Sequence, residues 1–302
     1  MTKTLISIVG PTAIGKTALS IQLAQYYNTE IISADSRQFY KEMQIGTAAP
    51  TPLELASAPH HFIQHKSIEE PYNVGDFEKD AIHKLTQIHG KNDIAIMVGG
   101  SGLFVKSVTE GLDKLPKVKP EVRTELNKKF ELNGLDPLVG QLKILDDKSY
   151  HAIALDNPQR VIRALEVCLS SGQPYSSFLT SKAKQRNFKT LTIGLTAERH
   201  IIYERINKRV DLMIANGLID EVKVLISKRH LNVLNTIGYK ELFNYFEGDW
   251  NLEFAVSEIK KNSRRFAKRQ LTWFKKNENT LWFNYNTDTE EIINVISKKI
   301  SS

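Results

Sequence analysis

Gly10-Pro11-Thr12-Ala13-Ile14-Gly15-Lys16-Thr17 matches G-x-x-x-x-G-K-[ST], and this run constrains the fold more than any other part of the chain. Directly before it, Leu5-Ile6-Ser7-Ile8-Val9 is short, apolar and rich in β-branched residues, which reads as a buried strand. Directly after it a helical pattern begins, with Leu19, Leu23 and Tyr26 on one face. Strand, glycine loop and helix thus come in the order that gives the motif its meaning. Glycines let successive backbone N–H groups turn inward around a phosphate, and the helix N-terminus adds partial positive charge. Lys16 would reach the outer phosphate oxygens, and the Thr17 hydroxyl would ligate Mg²⁺. The motif predicts binding of a di- or triphosphate and is silent on which bond breaks.

Glu30-Ile31-Ile32-Ser33-Ala34 reads as a second strand, which delivers Asp35-Ser36-Arg37-Gln38 at its C-terminal end. In an open parallel sheet, ligands sit beyond the carboxyl ends of the strands, so Asp35 is expected on the same crevice as Lys16. Three jobs are open to it: holding Mg²⁺, acting as a general base, or capping a helix. Asp93-Ile94-Ala95-Ile96-Met97-Val98 is a further strand and ends in Gly99-Gly100-Ser101-Gly102. A P-loop ATPase would carry an acid there to hold Mg²⁺. Its absence favours transfer to a positioned acceptor over hydrolysis, and Ser101 offers a hydroxyl to a ligand.

Composition excludes several other classes. Cys168 is the only cysteine, so neither a disulfide framework nor a four-thiolate zinc site is available. No run approaches the roughly 18 apolar residues of a membrane-spanning helix, and the N-terminus lacks a signal-peptide core. The expectation is a cytoplasmic monomer that makes no use of a membrane. Forty-one basic against 34 acidic residues give a net charge of +7, compatible with a polyanionic partner. His60, His61 and His65 invite a metal reading, but adjacent residues on an extended chain point to opposite faces. They read better as loop or partner-contacting residues.

At 302 residues the chain exceeds an ordinary single domain. The connector Leu115-Pro116-Lys117-Val118-Lys119-Pro120 opens a stretch of helical patterning, with stops at Asn133-Gly134, Asp156-Asn157-Pro158 and Ser171-Gly172. The expected organisation is a core begun by 1–115, a helical insertion over 116–187, and a core completed by 188–302 with basic C-terminal helices. Arg160 and Arg163 share a helical face, as do Arg205 and Arg209, which follow a strand at Lys189 to Leu195. The first pair reads equally as a functional or a solvated basic face, and the second equally as a phosphate clamp or as ordinary surface charge. Lys260 to Lys276 carries eight basic residues and no acid, with Phe266, Trp273 and Phe274 interleaved. That pattern points to a phosphate-backbone partner, with Lys268 and Arg269 among the contacts.

Seven segments, in order, carry a family resemblance. They are the loop at 10–17, Ile-Ile-Ser-Ala-Asp-Ser-Arg-Gln (31–38), Ile-Gly-Thr-Ala (45–48) and Val-Gly-Gly-Ser-Gly-Leu (98–103), then Asn-Pro-Gln-Arg-Val-Ile-Arg-Ala-Leu-Glu (157–166), Arg-Val-Asp-Leu-Met (209–213) and Ala-Lys-Arg-Gln-Leu-Thr-Trp-Phe (267–274). Together they resemble the bacterial tRNA dimethylallyltransferase (tRNA isopentenyltransferase) family, nearly end to end. The resemblance implies an α/β fold, a P-loop NTPase-like parallel sheet flanked by helices with an all-helical insertion domain. It also implies Mg²⁺ dependence and prenyl transfer from dimethylallyl diphosphate to the exocyclic N6 amine of the adenosine just 3′ of certain tRNA anticodons.

By matching motif, Gly10, Pro11, Thr12, Ala13, Ile14, Gly15, Lys16 and Thr17 would hold the diphosphate, with Thr17 on the metal. Asp35 would be the base toward the adenine amine, Ser101 would assist it, and Arg209 would clamp the diphosphate alongside Lys16. Asp35, Ser36, Arg37, Gln38, Ser101 and Arg123 would touch the anticodon stem-loop, together with Gln159, Arg160, Val161, Ile162 and Arg163. Ile14 replaces a commoner small residue, and Ser101 and Phe104 replace the commoner Thr and Tyr. Ser101 keeps a hydroxyl, which points to altered positioning rather than lost chemistry. No zinc-finger extension is expected at the C-terminus. Two rivals use the same loop: an ATP-dependent kinase of a small metabolite, and a non-catalytic nucleotide-dependent RNA-binding protein. The kinase leaves the basic aromatic segment and the full set of segments unexplained, and the binding protein predicts tight tRNA binding with no covalent product.

Overall fold

A computed structural model describes residues 3–180 and 184–301. Residues 1, 2, 181–183 and 302, which the expected domain spans include, lie outside the described residues. The chain divides into two compact units, Met1–Glu110 with Arg186–Ser302, and Gly111–Gln185.

The first unit opens with β1 (Thr4–Val9) and α1 (Lys16–Tyr26). Then come β2 (Ile31–Ser33), α2 (Pro52–Ser57), β3 (His60–His61), α3 (Val74–His89), β4 (Ile94–Val98) and α4 (Gly102–Thr109). The second unit contributes α5 (Pro120–Asn133), α6 (Asp136–Leu145), α7 (Asp147–Ala152) and α8 (Pro158–Ser171). The chain returns to the first unit as β5 (Lys189–Thr196), α9 (Arg199–Ala215), α10 (Leu218–Val224) and α11 (Tyr239–Phe246). It finishes with α12 (Leu252–Phe274), β6 (Leu281–Asn284) and α13 (Thr289–Ser301). No helix among the described residues is long and apolar enough to cross a membrane.

All strand pairs are parallel, in the order β3-β2-β4-β1-β5-β6. This is the expected fold class. β1 is buried on both faces, as a strand with apolar residues on both sides requires, and it takes the polar Thr4 and Ser7 into the interior with it. Leu5 and Val9 pack into one core cluster, and Ile6 and Ile8 into the other. Each such fully buried side chain contributes roughly 1.5–3 kcal/mol of transfer free energy. From β1 the chain crosses to β2, leaving a gap that β4 later fills, while β5 arrives on the opposite side of β1. That reversal opens a crevice at the C-terminal ends of the central strands, where ligands bind in such sheets.

Several local expectations need correction. Two edge strands, β3 and β6, were not anticipated, because two and four residues are too few to show a period. β6 seats Trp282 against Gly194 of β5, where a Cβ would come within 2.5 Å of the indole. Tyr26 was expected on the buried face of α1 and is 60% exposed. The buried arc of that helix is Leu19, Ser20, Ile21, Leu23 and Ala24, so Tyr26 falls beyond its edge. In the second unit an unforeseen break separates α6 from α7 at Asp146. Its carboxylate accepts from Ser149 N at 3.0 Å, which caps the start of α7, and from Ser176 N at 2.7 Å, a partner distant in sequence that helps to hold the break.

Candidate active site

The glycine loop owes its shape to three left-handed residues, Gly10, Ala13 and Gly15, with φ of 142°, 64° and 112°. At Gly10 a Cβ would stand 2.5 Å from the Leu195 carbonyl oxygen, so only glycine lets the end of β1 lie this close to β5. α1 starts with no side-chain cap and no acid in its first turn, whereas α2 and α3 both carry capping boxes. The positive end of α1 is therefore left for an outside anion. Lys16 Nζ donates to Pro11 O at 2.8 Å. Burial pushes its amine down to about 8, with Asp35 pulling it up and Arg209 pushing it further down.

Two arginines one turn apart on α9 hold the loop from outside. Arg205 Nε donates to Ala13 O at 2.8 Å, and Arg209 Nη1 donates to Thr12 Oγ1 at 3.0 Å. Both arginines are thus engaged with the loop and are not simply solvated charges. Burial lowers the Arg209 guanidinium's pKa, and the Asp35 carboxylate opposes that. Gln270 of α12 reaches the loop from a third direction. Its Oε1 accepts from Thr12 N at 2.8 Å, and its Nε2 donates to Gly100 O at 3.0 Å. The sequence reading did not single out Gln270. The signal was present, since Ile259, Ala267, Gln270 and Phe274 fall on the buried face of α12 and Gln270 alone of them is polar.

Two cavities meet at this point. One, of about 480 Å³, is lined by residues 12–18 together with Glu54, His60, Arg205 and Lys208. The other, of about 500 Å³, is lined by Ser36, Arg37, Ser101, Leu103, Arg269 and Trp273, among others. Thr12, Asp35, Thr47, Arg209, Phe266 and Gln270 line both. Asp35 thus stands on the shared wall, as its place after β2 led one to expect. Its Oδ1 also accepts from Arg37 N at 3.2 Å, closing an Asx-type turn; residues 36–39 form a turn and not a helix, so the helix-capping job does not arise.

The neighbouring segments are tied down. Ser101 Oγ accepts from Ser36 N at 3.0 Å and lies 3.1 Å from Ser36 Oγ. Arg37 Nη1 donates to Val233 O at 3.1 Å. Gln38 Nε2 donates to Ala48 O at 3.0 Å and Thr47 O at 3.3 Å. The same 45–48 loop is gripped from its other side by Glu221 of α10. That carboxylate accepts from the backbone N–H groups of Gln44, Ile45 and Gly46 at 3.0, 2.7 and 2.9 Å, and from the Tyr239 hydroxyl at 2.7 Å. Glu221 was also missed, because its partners are backbone groups far away in sequence.

The histidines lie outside this wall except for His60. His60 Nδ1 lies 2.7 Å from Ala58 O, and His61 Nε2 lies 2.5 Å from Glu30 Oε2. His65 is packed edge-on among Phe39, Phe62 and Tyr72. No group of three or more His, Cys, Asp or Glu able to hold a metal ion occurs among the described residues.

In the second unit, Arg123 Nη1 donates to Glu166 Oε2 at 2.9 Å and Nη2 to Gln159 Oε1 at 3.0 Å, while Arg163 donates to Glu166 Oε1. Glu166 is fully buried and orients both guanidinium groups at the surface. Arg160 is exposed. Val161 and Ile162, expected to contact RNA, are 0% and 1% exposed and belong to the core of this unit. On a helix the residues between two exposed arginines turn inward, so those side chains have no surface to offer.

The basic stretch on α12 also divides. Lys260 pairs with Asp211 at 2.6 Å, Lys261 pairs with Glu258, and Arg264 donates to Asn207 Oδ1 at 2.7 Å. The missing acid was therefore a feature of the segment and not of its surroundings. Four of the remaining five charges, Arg265, Lys268, Arg269 and Lys276 but not Lys275, line a shallow concavity of about 400 Å³ with Thr272 and Trp273, and Trp273 is 39% exposed.

A family model described as IPP transferase matches residues 38–277. A tRNA dimethylallyltransferase of Christiangramia forsetii is 58% identical over 302 residues, which cover 100% of both chains. Among solved structures, the tRNA isopentenylpyrophosphate transferase of Bacillus halodurans is 40% identical with a TM-score of 0.74, over 99% of this chain and 97% of that one. A eukaryotic dimethylallyltransferase, described as acting on tRNA, is 25% identical with a TM-score of 0.84, over 99% of this chain and 80% of that one. A phosphate loop, an acid-free β4 end and a carboxylate shared between two cavities are thus set in a chain that, over most of its length, belongs to the IPP transferase family.

Proposed function

We propose that the protein transfers a dimethylallyl group from dimethylallyl diphosphate to the N6 amine of the adenosine 3′-adjacent to the anticodon in certain tRNAs, releasing diphosphate. The observation that carries this reading is Asp35 on the wall between the phosphate-loop cavity and the second cavity. A donor diphosphate on one side and an acceptor base on the other would meet at this carboxylate.

The chemistry follows from the parts. The backbone of Gly10 to Thr17, with Lys16 and Arg209, receives the diphosphate and stabilises its negative charge as the allylic C1–O bond breaks. The adenine is extruded from the RNA into the second cavity, which costs a few kcal/mol offset by backbone contacts. Its N6 lone pair, delocalised into the ring, gains nucleophilicity as a proton leaves. Asp35 accepts that proton while the new C1–N6 bond forms. Ser101, bonded to Ser36, fixes the β2 and β4 ends around the acceptor. Mg²⁺ fits the donor set. No hydrogen bond engages the Thr17 hydroxyl among the described residues, and no acidic cage surrounds it. Magnesium often sits between one or two protein oxygens, substrate phosphates and water. When bound, it would neutralise charge on the leaving group. Ser36, Arg37, Gln38, Arg123, Gln159, Arg160, Arg163, Lys268 and Arg269 would contact the anticodon stem-loop. The reading takes the protein to act as a monomer in the cytoplasm.

The direct test is to incubate unmodified tRNA with dimethylallyl diphosphate and Mg²⁺, digest it, and weigh the nucleosides. Adenosine heavier by one five-carbon prenyl unit is the expected product. Unmodified tRNA, with phosphate instead passing from labelled ATP to a metabolite, would replace this reading by a kinase.

A further inference from the structure

Strand β4 ends in Gly99-Gly100, where a P-loop ATPase carries its metal-holding acid. The side chain that fills this place comes from α12. Gln270 is only 5% exposed, and it uses one end of its amide on Thr12 N and the other on Gly100 O. A Cβ at position 100 would stand 2.3 Å from Gln270 Nε2, so the glycine is what admits the amide. We propose that Gln270 is a positioning residue that sets the register between the departing diphosphate and the attacking amine. This rests on the prenyl-transfer reading.

The geometry makes one side chain span the two halves of the reaction. Thr12 belongs to the phosphate loop, and Gly100 lies beside Ser101 at the acceptor side. A carboxamide of this length offers an acceptor to the Thr12 N–H and a donor to the Gly100 carbonyl while adding no charge. A carboxylate would set an acceptor against the Gly100 oxygen and a second negative charge beside Asp35 and the diphosphate. Reacting atoms must approach to about 3–3.5 Å, and a misplacement of about 1 Å can cost roughly 10²-fold in rate. Gln270 therefore acts on the chemical step more than on the capture of either substrate.

Gln270→Ala, Gly100→Ala and the double variant test this. The new Cβ of Gly100→Ala meets only the flexible end of Gln270 at short range, with Asp35 Oδ2 at an ordinary 3.8 Å, so it displaces the amide while sparing the fold. Single-turnover rate, affinity for each substrate and melting temperature are measured for all four proteins. Each single variant is expected to slow transfer by roughly 10- to 10²-fold with tRNA affinity within about twofold. The double variant should be no slower than Gln270→Ala, because both changes break one contact. A wild-type rate in Gly100→Ala, additive losses, or slowing explained wholly by unfolded protein overturns the role of Gln270. Failure of the wild-type protein to prenylate tRNA overturns the functional reading itself and this inference with it.

Discussion

Two cationic regions of the first unit are built on opposite principles. Around the phosphate loop, Lys16, Arg205 and Arg209 are each bonded to the loop itself, and burial pushes the Lys16 amine down to about 8. On α12, Arg265, Lys268, Arg269 and Lys276 are exposed to water and line an open concavity. In the first region a charge is fixed in place and costly to desolvate, so it acts on one group at one position. In the second it is exposed and screened by salt within about 10 Å, so it would attract a polyanion without fixing where the polyanion sits. Position-specific chemistry is expected from the first region and sequence-independent capture from the second.

The largest effect should come from the loop. Lys16→Ala is expected to abolish detectable transfer while leaving most of the tRNA affinity in place. Near wild-type turnover in that variant would remove the loop from the mechanism. Asp35→Asn keeps shape and some hydrogen bonding but cannot take the proton. Its turnover should fall by roughly 10²–10⁴-fold with diphosphate affinity nearly unchanged. A large affinity loss that raised Mg²⁺ restores would instead make Asp35 an organiser of the metal.

A smaller effect follows from the pH dependence of Lys16. In the free protein its amine is protonated below about 8 and neutral above it, because burial disfavours the charged form. A bound diphosphate favours the charged form and raises that value. Affinity for the diphosphate should therefore be greatest below pH 8 and weaken above it, by at most about tenfold per unit. Lys16→Arg, charged throughout this range, should show no such fall. A flat wild-type profile between pH 7 and about 10 would mean that Lys16 is not the group that meets the diphosphate.

The same contrast governs what could be read from the sequence. The loop was legible because its strand, glycines, lysine and helix are contiguous, and each residue type has one local reason to be there. Asp35 was legible because strand ends in a parallel sheet converge. Gln270 and Glu221 were not, since their partners at Thr12, Gly100 and the 44–46 backbone lie far off in sequence and pair with side chains only once the sheet has formed. The α12 stretch was read as one basic face for the complementary reason. Asp211 and Asn207 of α9, which engage Lys260 and Arg264, are invisible to a window that ends at the helix. Val161 and Ile162 show the same limit in the second unit, where a motif marks a segment and only packing tells which of its side chains face out.

The smallest expected effect separates the two kinds of charge on α12 itself. Lys268 and Arg269 face the concavity, whereas Lys260 and Arg264 are engaged by groups on α9. A phosphate contact releases counterions from the RNA, so losing one should flatten the log–log dependence of tRNA binding on salt by about 0.7–0.9. Neutralising Lys268 and Arg269 together should thus reduce the slope by up to twice that, with binding weakened most at low salt. Lys260→Gln should leave the slope where it was, because that ammonium is already committed to Asp211 at 2.6 Å. Titrations of tRNA at several salt concentrations read both slopes directly. Equal slopes for the two variants would mean that exposure on this helix does not mark the RNA-facing charges, and the capture role would pass to arginines such as Arg160 on the second unit.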